Sequence, residues 1–181
     1  HLPLFCGTNR LQLVCEGPAG TAISTRDVTG PACASRDVQV TLSWGAAAND
    51  MELHLVRGGA HINDTVGDCT WFTCMSTSPD WGTAGDPTDD PHKDVDNTGH
   101  YGPENVFLTR APDGSYEVMI EYWGSGTPDT SEVAITLGGA TIWRGSRLMS
   151  LYDVWDVGRL DFPASTFTPV DSITSCTASW R

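Results

Sequence analysis

Positive charge is scarce in this chain. Ten Lys and Arg stand against 23 Asp and Glu in 181 residues, a formal net charge of −13. Nucleic-acid binding needs basic partners for the phosphates, so this balance argues against it. It argues equally against docking on an anionic membrane surface. No apolar run approaches the roughly 18 residues that a membrane-spanning helix needs. No segment keeps a 3.6-residue hydrophobic period over three turns, which excludes a helical bundle. Neither a G-x-S-x-G elbow nor an H-E-x-x-H pair is present, and we expect no enzyme. Paired carboxylates are abundant enough to leave glycoside hydrolysis formally open. A start at His1 rather than at Met leads us to expect a trimmed secretory precursor.

C-x-x-C is absent as well, so zinc-ribbon and thioredoxin readings lack their signature. The six cysteines, Cys6, Cys15, Cys33, Cys69, Cys74 and Cys176, are even in number. We expect them in disulfides, in a secreted protein or at the cell surface. Cys69 and Cys74 are close enough to clip a local turn, and Cys176 could tie the tail back to the N-terminal region. The sequence does not choose among the other connectivities.

What the chain does have is period-two alternation. Residues 37–44 (DVQVTLSW) place Val38, Val40, Leu42 and Trp44 on one face. Residues 50–56 (DMELHLV) place Met51, Leu53 and Leu55 on one face and Asp50, Glu52 and His54 in a row on the other. These two look like the arms of a hairpin. Similar strands are read at 10–15, 21–28, 106–108, 115–123, 132–137, 140–144 and 150–162, separated by Gly/Pro turns. Many short strands with turn signals predict an all-β fold, an antiparallel β-sandwich of jelly-roll or immunoglobulin-like type. We expect it to be disulfide-stabilised, with long loops. Residues 1–36 form a Cys-containing extension or the first strands, and residues 37–181 the sandwich domain. Trp44 and Trp155 are assigned to the core.

The most unusual stretch is 86–105, DPTDDPHKDVDNTGHYGPEN, with six acids and only Lys93 as a full counter-charge. Its prolines and glycines lead us to expect neither a helix nor a regular strand there. A loop this acidic repels itself, and a divalent cation with oxygen ligands would offset the repulsion. Calcium is the expected ion, with Asp94, Asp96 and Glu104 from the loop and Asp50 and Glu52 from the strand as ligands. A zinc site from His92 and His100 with Asp94 is the alternative metal. Residues 94–99 begin like an EF-hand loop, but no flanking helices accompany them. Among the seven tryptophans, Trp71, Trp81 and Trp123 lie in or beside loops and could stack on sugar rings.

The order of three pieces resembles a known pattern. These are D-M-E-L-H-L-V at 50–56, D-V-D-N-T-G-H-Y-G-P-E-N at 94–105 and A-P-D-G-S-Y-E-V at 111–118. It is similar to that of the YfaP-like family of uncharacterised bacterial secreted or periplasmic proteins, over residues of about 38–145. Glu52 stands where that family more often has Asp. The resemblance implies an all-β extracellular module and no established activity. From residues and resemblance together we expect a non-enzymatic, calcium-binding module that acts in adhesion or as a surface or filament subunit. Self-assembly, a surface-protein partner or a glycan is the expected partner, with no membrane insertion. The alternative is a calcium-stabilised carbohydrate-binding module.

Overall fold

The computed structural model describes residues 8–18, 20–29, 36–75, 78–124 and 126–175. The chain divides into two compact units, one ending at Ser35 and one beginning at Arg36. In the first, β1 (Thr8–Gly17) and β2 (Gly20–Thr29) pair as an antiparallel hairpin. Cys15 does not form the disulfide expected of it. Its thiol is free and exposed, and the residue across the ladder is Ala22. Cys6, Cys33 and Cys176 lie outside the described residues.

The second unit is an antiparallel β-sandwich. One sheet contains β3 (Val38–Trp44), β6 (His92–Lys93), β7 (Glu104–Leu108), β9 (Asp129–Leu137) and β10 (Ala140–Met149). Its spatial order is β10-β9-β3-β7-β6. The other contains β4 (Met51–Arg57), β5 (Asp68–Cys69), β8 (Gly114–Tyr122), β11 (Asp153–Phe162) and β12 (Thr166–Ser175), in the order β12-β11-β8-β4-β5. A single helical turn, α1 (Trp71–Cys74), follows β5, and the Cys69–Cys74 disulfide clips it as expected.

The alternating apolar residues meet between the sheets. Val40, Leu42, Leu53, Leu55, Val106, Ile120, Ile135 and Trp155 are all fully enclosed in one core, with Trp44 beside them. Two expectations fail. β3 and β4 are not a hairpin: β3 pairs with β7 and β9, while β4 pairs with β5 and β8 in the opposite sheet. Both have an apolar face, and putting them in facing sheets buries one against the other. Nor is the stretch 86–105 without strands: β6 and the first residues of β7 lie in it, and the two strands pair with each other. β12, in the Pro-bearing tail, is a strand that the sequence reading does not include. Proline lacks the N–H for a central ladder but is tolerated at a sheet edge, where Pro169 sits.

No helix among the described residues is long and apolar enough to cross a membrane.

Candidate functional site

The polar row of β4 is buried too, because the connection after it folds back over that face. Glu52 and His54 are inaccessible, like the core residues on the other side of the strand. Glu52 Oε1 accepts from Thr70 Oγ1 at 2.6 Å and from the Trp71 N–H at 2.9 Å. It also accepts from Lys93 Nζ at 2.5 Å.

Lys93 reaches this position from the other sheet. On β6 it stands opposite Val106, so its side chain starts on the core side. Glu104 on β7 stands opposite Leu42 and is likewise turned inward. The Lys93 ammonium lies 2.7 Å from Glu104 Oε2, which also accepts the Leu53 N–H at 3.2 Å. The second Glu104 oxygen accepts the Asn97 N–H at 2.9 Å. A buried Glu–Lys–Glu triad thus ties β4 of one sheet to β6 and β7 of the other. Burial alone would lower the Lys93 pKa, but Glu52 and Glu104 raise it above its ordinary value, so the ammonium is charged. Burial pushes Glu104 up to about 7, with Lys93 pulling the other way.

Asp96 joins this triad. Oxygens of Glu52, Asp96 and Glu104 lie within 4.8 Å of one another. Asp96 is half-buried, and burial followed by the Glu52 charge raises its pKa. Asp50 sits at the margin. Burial, then Asp96 and Glu52, push it up to about 6. In both, burial comes first and the neighbouring carboxylates second, with Lys93 pulling the other way.

Asp94, the remaining expected ligand, points elsewhere. Its oxygens accept the Asn105 N–H at 2.9 Å and Asn105 Nδ2 at 2.7 Å, and Asn105 is bonded in turn to Thr41. The other loop acids have their own donors. Arg110 Nη2 lies 2.6 Å from Asp86 and 2.7 Å from Asp89, and the Trp81 N–H donates to Asp90 at 2.9 Å. Arg110 and a Thr83 N–H hold Asp89 below the usual carboxylate range.

A second buried cation lies beside the triad. His54 Nδ1 is 2.7 Å from Asp68 Oδ2, and its Nε2 is 3.7 Å from Glu121 Oε2. Burial alone would lower the His54 pKa, yet Asp68 and Glu121 hold it up at about 10. His54 is therefore an imidazolium inside the fold.

Of the three loop tryptophans, Trp81 is not on the surface. It is stacked on Tyr116 with ring centroids 5.5 Å apart, and its indole donates to the Val66 carbonyl at 2.7 Å. A loop residue becomes core here because the long connection packs inward. Trp71 and Trp123 are 46% and 39% exposed. Both border the acidic cluster through the main chain: the Trp71 N–H donates to Glu52, and the Trp123 N–H donates to the Asp50 carbonyl at 3.0 Å.

Sequence reasoning named every carboxylate of the cluster and Lys93 as the counter-charge of the stretch, but it did not place Lys93 between Glu52 and Glu104 or a charged His54 beside Glu121. One signal was available. Lys93 is the chain's only lysine, beside nine arginines, and it stands inside the most acidic stretch. A compact ammonium suits a small enclosed space between two carboxylates better than the broad guanidinium fork.

Comparison with protein-family models, curated proteins and solved structures gave no match.

Proposed function

We propose that this chain is an extracellular, non-enzymatic β-sandwich module. It uses a divalent cation, calcium, at the seam lined by Asp50, Glu52, Asp96 and Glu104. It serves in adhesion or as a structural subunit of a surface layer or filament. The observation that carries the cation reading is the convergence of Glu52, Asp96 and Glu104 oxygens within 4.8 Å, with Asp50 electrostatically coupled to them. Four carboxylates share one ammonium there, so a hard cation still gains from binding on the Asp50–Asp96 side. All the donors are oxygens, as calcium prefers. Calcium would supply charge neutralisation and a cross-link between the sheets. Asp94 drops out of the proposed ligand set, since it is not among the converging carboxylates and is held by Asn105 instead.

Melting curves in calcium and in chelator test this. The midpoint rises with calcium, and the Glu52→Gln and Asp96→Asn variants blunt the rise. A midpoint indifferent to both additives sinks the cation reading.

Trp71 and Trp123 favour a second reading. Two exposed indoles anchored to one acidic cluster suit stacking on a sugar ring. A glycan array on the native chain and on the Trp71→Ala/Trp123→Ala variant separates the two. Binding lost in the variant supports recognition of carbohydrate, and no binding by the native chain leaves the structural reading.

A further inference from the structure

The sheet β10-β9-β3-β7-β6 ends in two unlike edges. At one, β10 (ATIWRGSRLM) carries Arg144 and Arg147 and no acid, in a chain of net charge −13. Ile142 and Leu148 on it are exposed, Leu148 to 65%. Arg147 is held by Asp171 of the neighbouring edge strand at 2.8 Å. Arg144 is exposed and takes part in no ion pair among the described residues, the nearest acid on its side of the ladder being Glu132, diagonally across β9. At the other edge, β6 runs into residues 94–101, where Asp94 is exposed, Asp96 half-buried, and Val95 and Tyr101 present apolar surface, Tyr101 to 59%.

The edges also differ in how they are protected. Unpaired strand edges invite other chains, and folds blunt them with bulges and proline. β12 is blunted in both ways: Pro169 interrupts it, its register breaks opposite Asp156/Gly158, and Asp171 has a left-handed φ of 55°. β10 has its register break at its start, between Thr141 and Trp143, which leaves the rest of the strand regular and free of proline.

We propose that copies of this chain join head to tail, the β10 edge of one against residues 94–101 of the next. This rests on the structural-subunit reading above and gives that reading its contact. An acidic chain attracts its own copy only where one face is not acidic, and β10 is the one long edge strand without an acid among the described residues. Arg144 meets Asp94, and Ile142 and Leu148 meet Val95 and Tyr101. Because the two surfaces differ and lie at opposite ends of one sheet, the contact is head to tail and not two-fold, and it repeats from copy to copy.

Sedimentation of the full chain tests this, with Cys15 alkylated to prevent intermolecular disulfides, across protein concentration and at low and high salt. The native chain associates in a concentration-dependent way at low salt, and association weakens by about tenfold or more at high salt as the charges are screened. Arg144→Glu and Val95→Lys, both at exposed positions, are each monomeric alone. Mixed, they associate again, because each retains one good surface. A native chain that stays monomeric at low salt overturns the proposal. So does an Arg144→Glu variant that assembles like the native chain. A Val95→Lys variant that dimerises alone overturns it in favour of two-fold β10–β10 pairing. Repeating the runs in calcium and in chelator separates this contact from the cation: a chain stabilised by calcium but always monomeric loses only the head-to-tail contact.

Discussion

Glu52 and Glu121 stand directly opposite each other on β4 and β8. Like charges in that position ordinarily push strands apart. Here each has its own enclosed cation, Lys93 against Glu52 at 2.5 Å and His54 beside Glu121 at 3.7 Å. The two acids therefore act as anchors for charges delivered by other parts of the fold, and several measurable consequences follow from that exchange.

Removing the ammonium leaves Glu52 and Glu104 facing each other in a dry space. Lys93→Met is expected to cost about 3–5 kcal/mol in urea unfolding, the usual penalty for orphaning a buried charge. Calcium recovers part of that loss if the cluster takes a cation. In the native fold Lys93 is shielded, so an amine-reactive reagent labels it, by mass spectrometry, only after unfolding.

His54 makes stability depend on alkaline pH. The folded imidazolium persists to about 10, whereas its reference value is 6.5. A raised folded pKa means that its stabilisation is complete below about 6.5 and is lost as the pH climbs towards 10. Denaturant midpoints of the native chain fall over that window, and the fall is shallower in His54→Gln.

Asp50 acts with the opposite consequence for a carboxylate. Its folded pKa of about 6 lies above the reference 3.8, so its contribution is present below 3.8 and is lost as pH rises through 6. Asp50→Asn is therefore expected to raise stability at pH 7 in chelator. It is half-exposed, so screening keeps the gain to about 1 kcal/mol. In calcium the same variant gains less than the native chain does, a reversal that a purely electrostatic surface effect does not produce.

Replacing Cys69 and Cys74 by serine opens a short loop and is expected to cost about 2 kcal/mol on the chain-entropy estimate. The loss concentrates around α1, where Thr70 and Trp71 bond Glu52. Hydrogen exchange at the Trp71 amide accelerates more than exchange in β3.

The strands were legible because each has a face to bury: the Val38–Trp44 alternation and that of Met51, Leu53 and Leu55 are both fully enclosed as read. Which strands pair was not legible. Alternation says which side of β4 is apolar but not which sheet it joins, so the turn at 45–50 reads equally as a hairpin or a crossing. β12 was hidden by Pro169, whose bar on strands applies only to interior ones. Trp81 was misplaced because loop position says nothing about whether a loop folds inward. The acids of the site were visible as a crowd, yet their partners come from 41 and 14 residues away in sequence, as with Lys93–Glu52 and His54–Asp68. Pairing across such distances is decided by the fold and not by any local pattern.

The sandwich is shut by different forces along its two long margins. On one, Glu52, Lys93 and Glu104 clasp strands of opposite sheets. On the other, Trp143 leans on Trp155 and Phe167. Warming lowers the dehydration penalty of ionic groups while apolar burial gains little more per unit area. The molecule should thus come apart asymmetrically on heating, gaping first along its aromatic margin while the charged one still holds.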